Sequence, residues 1–218
     1  LLAFRRLSDE IGSAHWYMGL LRDSGLAAKR LTKVLAASRY VGEELERIPE
    51  AVRWLARDEQ LRPLSREVLG REFLAVITRV DTVEEARDVL RRTRSRELLR
   101  IALAHLTDVA SAAEVACALT DLAEAVLEAE LLVAYHVVAR ERKVVGEEAE
   151  PLDGVDEVDE TTAQELRERR SDPARALGVE LAIIAQGSFG AREMGYSSDA
   201  DVQFIAVDRG AGRDTVEI

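Results

Sequence analysis

The chain has 218 residues, of which 47% are hydrophobic, 33% charged and 5% aromatic, and its formal net charge is −11. That acidity argues against a nucleic-acid footprint, and the single cysteine, Cys117, excludes an internal disulfide framework. No apolar run reaches membrane-spanning length and no signal peptide is recognised, so a cytoplasmic protein with no membrane partner is the simplest reading.

Few aromatics with abundant Ala, Leu, Glu and Arg favour helices, and residues 1–143 read as a helical bundle. Ser13 suits an N-cap before HWYMGLLRD, with a break at Gly25. Ala27, Leu31, Val34 and Leu35 then share one helical face, and Val41, Leu45 and Ile48 share another that Pro49 ends. Glu50 to Ala56 predicts a short helix carrying Trp54. After Pro63, a stripe of Leu69, Phe73, Val76, Ile77 and Val80 predicts the next helix. Thr82 with Glu85 is a capping box, followed by Val83, Ala86 and Leu90, then by Leu98, Ile101, Ala102 and Val109, with a break expected near Thr93. Ser111 with Glu114 is a second capping box. It opens the longest helix, in which Val115, Leu119, Leu122, Val126, Ala129 and Val133 form a seam fit for bundle packing.

Residues 144–160 (VVGEEAEPLDGVDEVDE) are dense in acids and read as a flexible linker. Beyond it, residues 161–218 read as an αβ segment, with a short helix from Thr161 to Arg170 and a turn at Asp172-Pro173. Val179 to Ala185 (VELAIIA) and Val202 to Val207 (VQFIAV) suit buried strands. Between them, Gly187 and Ser188 stand where the first strand ends, and Asp199 and Asp201 where the second begins. Residues two apart on a strand share a face, so the two carboxylates project together and need a cation or a proton between them. Hard oxygen donors of this kind suit Mg²⁺ beside a substrate phosphate. Gly187 and Gly190 let backbone amides approach a phosphate, a helix starting near Gly190 would aim its positive end there, and the Ser188 hydroxyl can donate. Together the parts describe a metal–triphosphate cradle.

A lone DxD is weak, but the ordered set of strand, Gly-Ser, ten residues, DxD and strand is more specific. It resembles the signature of the nucleotidyltransferase superfamily that includes the β-type DNA polymerases. The full string, GSFGAREMGYSSDADVQF from Gly187 to Phe204, closely resembles the G-(K/R)-(L/F)-G-G-x-E-L-x-(F/Y)-x-S-D-x-D-(L/V)-x-F motif of the glutamine synthetase adenylyltransferase/deadenylase family. Leu20 to Leu55 also looks like the helical region that precedes the second catalytic domain of that family, especially in actinobacterial members. The resemblance implies a mainly α chain (α+β overall): the central helical bundle, then the start of a nucleotidyltransferase domain. It implies that Asp199 and Asp201 bind catalytic Mg²⁺, that ATP is the substrate, and that AMP goes to a tyrosine of glutamine synthetase. A PII-type signalling protein is the regulator it implies. Two departures stand out: Ser188 replaces a basic residue, and Ala191 replaces a second glycine. Superfamily members also use a third acid on a later strand, so the sequence looks like a stretch cut inside a catalytic domain, and this stretch alone is expected to be inactive. The alternatives are the deadenylylating half-reaction on the same residues, and a non-catalytic helical docking fragment.

Gly187, Ser188, Gly190, Arg192 and Ser198 are the nucleotide-binding candidates, and Asp199 and Asp201 the catalytic and metal-binding ones. Arg192 reaches either a phosphate or a nearby acid such as Glu193, while Ser197 and Ser198 shape the turn before Asp199. His15, His105 and His136 lack metal-ligand spacing. Trp16, Tyr17 and Trp54 read as core anchors, and Cys117 as a small core residue. Arg91, Arg92, Arg94, Arg96 and Arg100 read as a solvated helix face pairing with acids such as Glu97.

Overall fold

The computed structural model describes residues 5–7, 15–77, 79, 82–141 and 177–208. Ser13, Val80, the acidic linker 144–160, the helix expected at 161–170 and the Asp172-Pro173 turn lie outside the described residues. The described chain is mostly helical, with one two-stranded antiparallel sheet.

The order is α1 (His15–Asp23), α2 (Gly25–Ala37), α3 (Arg39–Arg47), a 3₁₀ helix (Pro49–Ala56), α4 (Asp58–Leu61), α5 (Arg66–Ile77), α6 (Val83–Leu106) and α7 (Ala112–Glu141). The break between α1 and α2 falls at Ser24, not at the glycine. Ser24 is in extended backbone and its hydroxyl accepts from the Ala27 amide at 3.2 Å, which leaves Gly25 as the first helical residue. Ser38 does the same for Val41 at 3.2 Å, so a single residue separates the end of α2 from the start of α3. Ile48 is held out of the helical region before Pro49, as the proline ring requires.

No break occurs near Thr93; α6 runs unbroken for 24 residues. One β-branched residue among Arg, Leu and Glu costs a helix little. Thr82 caps it by accepting from the Glu85 amide at 3.2 Å. The second capping box closes in both directions. The Ser111 hydroxyl accepts from the Glu114 amide at 3.3 Å, and Glu114 accepts from the Ser111 amide at 2.8 Å.

Two hydrophobic cores result. The first gathers Leu7, Tyr17, Leu31, Val34, Leu45, Trp54 and Leu61 from the short helices. The second gathers Leu69, Phe73, Val115, Leu119, Leu122 and Ala129 from α5 and α7. Helix α6 is the wall between them: Leu99 and Leu103 enter the first core, Leu90, Ile101 and Ala104 the second. Burial on two sides is why a helix rich in arginine needs no single apolar stripe. Its buried acid, Glu97, is satisfied by the Leu64 amide at 2.9 Å and Arg100 Nε at 2.8 Å, while burial itself pushes the carboxyl pKa up. Arg96 and Arg100 lie over the Trp54 ring at 5.5 and 4.3 Å, so part of the arginine run packs as well as pairs. Cys117 is exposed rather than in the core. It stands two residues from Val115, about 200° round the helix and away from the seam.

Strands β1 (Val179–Ala185) and β2 (Val202–Asp208) pair with Ile183 opposite Phe204. Leu181, Ile183 and Ala185 are half-buried, whereas the alternate residues Glu180, Ala182 and Ile184 are exposed. Helix α7 spans about 45 Å, long enough for its seam to serve α5 and α6 and for its last turns to reach the sheet. There the Tyr135 hydroxyl accepts from the Leu181 amide on the outer edge of β1 at 2.7 Å.

Candidate functional site

The stretch from Gly187 to Asp201 leaves the end of β1 and returns to the start of β2. Its ends are tied where the sheet ladder runs one pair further, the Gln186 amide donating to the Asp201 carbonyl at 2.8 Å. The chain then turns at once. Gly187 has φ +55, a left-handed conformation that side chains rarely adopt, and opens the four-residue helix α8 (Gly187–Gly190). The helix thus starts at Gly187 and ends at Gly190, rather than starting near Gly190. A helix this short carries little macrodipole. Its first amides, Gly187, Ser188 and Phe189, have no acceptor within the helix.

Two of the glycines answer to space. A Cβ on Gly190 would stand 2.6 Å from the Ala185 carbonyl oxygen, so α8 lies directly against the end of β1. A Cβ on Gly187 would stand 3.0 Å from Asp201 Oδ2, so the glycine turn and the aspartate carboxylate are neighbours. Ala191 is right-handed helical at φ −78, ψ −7, where a side chain is unstrained. Asp199 and Asp201 are both exposed and stand just before β2. Ser198 is turned inward to its own loop, its hydroxyl accepting from the Gly195 amide at 2.8 Å.

The rest of the loop is fastened to the helices. Phe189 and Met194 are buried in the second core. Arg192, at φ 59, reaches α7 and pairs with Asp121 and with Glu124, the latter at 3.1 Å. The hydrogen bond to Asp121 holds its guanidinium pKa above the ordinary value. Of the two partners open to Arg192, the acids have it here, and they belong to α7 rather than being Glu193. Tyr196 stacks on His105 near the end of α6, ring centroids 6.0 Å apart and 18° between planes.

The structure therefore brings Gly187, Ser188, Gly190 and Asp201 together at one turn, with Asp199 two residues away. Sequence reasoning missed Asp121, Glu124, Tyr135 and His105. Only the i, i+3 spacing of Asp121 and Glu124, which puts both on one helix face, hints at any of them. Among the described residues no group of three or more His, Cys, Asp or Glu side chains stands ready for a metal, and no helix is long and apolar enough to cross a membrane.

A family model described as glutamate-ammonia ligase adenylyltransferase matches residues 28–155, more than half of the chain. The chain belongs to that family. The match runs from within α2 to beyond α7 and stops short of the glycine–aspartate loop, but alignments with curated relatives run on through it. A bifunctional glutamine synthetase adenylyltransferase/adenylyl-removing enzyme of Leifsonia xyli subsp. xyli is 38% identical over 98% of this chain and 18% of its own length. Its counterpart from Cutibacterium acnes is 36% identical over 100% of the chain and 18% of its own length. One from Streptomyces coelicolor is 36% identical over 94% and 19%. The chain thus spans less than a fifth of the length of these relatives.

Proposed function

We propose that this chain is the junction of a helical region with the start of a nucleotidyltransferase domain, in an enzyme that moves AMP from ATP to a tyrosine of glutamine synthetase. The single observation that carries the reading is the contact of Gly187 with Asp201. The left-handed turn that frees amides for a phosphate adjoins a carboxylate fit for a metal. Asp199 and Asp201 would hold Mg²⁺, since exposed carboxylates beside a phosphate site are the donors that ion prefers. Bound there, Mg²⁺ would neutralise triphosphate charge. Gly187, Ser188 and Gly190 would receive and orient the phosphates, and Ser198 would hold the turn that presents the aspartates. The tyrosine oxygen, giving up its proton to water, would bond to the α-phosphorus of ATP as the bond from that phosphorus to pyrophosphate breaks, and pyrophosphate would leave. A third carboxylate and further strands would come from the rest of a longer polypeptide.

The second reading is the reverse direction, phosphorolytic removal of AMP by the same residues, since the relatives' printed names carry both activities. In either direction glutamine synthetase is the target, and the helical part, residues 1–143, would be the surface open to a PII-type regulator. Calorimetry of Mg-ATP with the chain and its Asp199→Asn/Asp201→Asn variant tests the site. Saturable binding lost in the variant, with an unchanged melting curve, is expected. Equal binding in both would refute it. In a longer enzyme containing this stretch, Asp199→Asn should abolish transfer, and assaying the two directions separately on glutamine synthetase assigns the half-reaction.

A further inference from the structure

We infer that Arg192 is a positioning residue, a strap that ties the glycine loop to helix α7 through Asp121 and Glu124, so that the helical bundle sets the conformation of the loop. This deepens the proposed function and rests on it for the loop's role, though not for the strap itself.

Four observations support the strap. Arg192 holds φ 59, uncommon for a residue with a long side chain, and such backbone persists only where the surroundings over-determine it. Its guanidinium spans two carboxylates one helical turn apart, contacting Glu124 at 3.1 Å and Asp121 alongside. Glu124 is shared, since it also pairs with Arg66 of α5 at 3.3 Å, and Arg66 pairs again with Glu128. The loop is thus wired to two helices through one carboxylate. Finally, the strap lies between two buried anchors of the same loop, Phe189 and Met194. A movement of α7 against α5 cannot leave Arg192 in place.

A phosphate-binding arginine would behave differently. Neutralising its acidic partners would release it toward the ligand and leave the loop's own hydrogen bonds alone. The strap predicts a looser loop. The amides to watch are Gly190, Ala191, Arg192 and Glu193, which donate within the loop to Gln186, Gly187, Phe189 and Ser188 at 2.8 to 3.1 Å.

Hydrogen exchange of these four amides is measured in the 218-residue chain. The variants are Asp121→Asn/Glu124→Gln, Arg192→Asn and Arg192→Lys. Asparagine tolerates the left-handed backbone, so Arg192→Asn removes the ion pairs without adding strain. Both variants that remove ion pairs should exchange roughly five- to tenfold faster, the worth of two partly exposed ion pairs. Arg192→Lys, which keeps the charge, should restore part of the protection. Arg39→Ala, which breaks an exposed pair with Glu43 elsewhere, should leave the loop unchanged. Unaltered exchange in the double variant, or in Arg192→Asn, overturns the strap. Calorimetry with Mg-ATP on the same samples judges the nucleotide site separately: no binding to the parent chain counts against the proposed function and leaves the exchange result standing.

Discussion

Among the described residues the helices bury their apolar faces against one another, and the sheet leaves much of its apolar surface exposed. Leu31, Leu45, Leu99 and Leu103 are wholly buried, yet Phe204 is 60% exposed and Ile184, Ile205 and Val207 are more than a third exposed. Both strands are apolar on both faces, the pattern of a strand buried on two sides. Among the described residues, the helices lie near the odd-numbered face of β1 and near Val202 at the start of β2. There the helices enclose two cores, while both strands leave apolar side chains exposed.

The comparison breaks most sharply on substitution. Leu99→Ala empties a fully buried site facing the first core and should cost about 2–5 kcal/mol in denaturant unfolding. Phe204→Ala trims a larger side chain yet should cost only about 0.5 kcal/mol, as exposed positions do. Equal costs would mean that something covers the sheet in solution, and concentration dependence of the Phe204→Ala midpoint would identify a second copy as the cover.

Next in size is Gly190→Ala. The added Cβ meets the Ala185 carbonyl at 2.6 Å, and backbone cannot step aside as a side chain would. Overpacking of this kind costs about 1–3 kcal/mol. Its effect should be confined to the loop, weakening Mg-ATP binding more than it lowers the main unfolding transition. A main transition displaced as far as by Leu99→Ala would show that the loop and the bundle unfold as one piece. Ala191, one residue on, already carries a Cβ without strain.

What was legible in the sequence follows the same division. Helical stripes repeat every three or four residues, so Ala27–Leu31–Val34 and the seam from Val115 to Val133 announce their faces locally. The glycine–aspartate string is likewise local, and its strand ends fall where the apolar runs stop. The expected break near Thr93 failed because one β-branched residue among Arg, Leu and Glu costs a helix little. The position of Cys117 was misjudged because a helical region has an outward face too. The fastenings of the loop were invisible for a different reason. Tyr135 to Leu181 spans 46 positions, Arg192 to Glu124 and Asp121 spans 68 and 71, and Tyr196 to His105 spans 91. No window of sequence contains both partners, and the residues concerned look like ordinary surface side chains on their own helices.

The smallest effect concerns the aromatic fastening. Tyr196 is half-exposed on the loop, but burial of its phenol against the helices, with Tyr40 a secondary influence, raises its pKa from 10.0 to about 12. A folded-state pKa raised in this way gives stability that is present below pH 10 and lost as pH rises through about 12. Tyrosinate absorbance should therefore show Tyr196 ionising late, near pH 12, with Tyr40 also shifted upward by burial, and Tyr196→Phe should remove the step near pH 12. His105→Ala should bring the step back toward the ordinary value, since it takes away the ring on which Tyr196 stacks. If the late step survives in Tyr196→Phe, the ring is not held against α6. The loop would then hang from α7 alone, and the bundle would control it through Arg192, Phe189 and Met194 without the second helix.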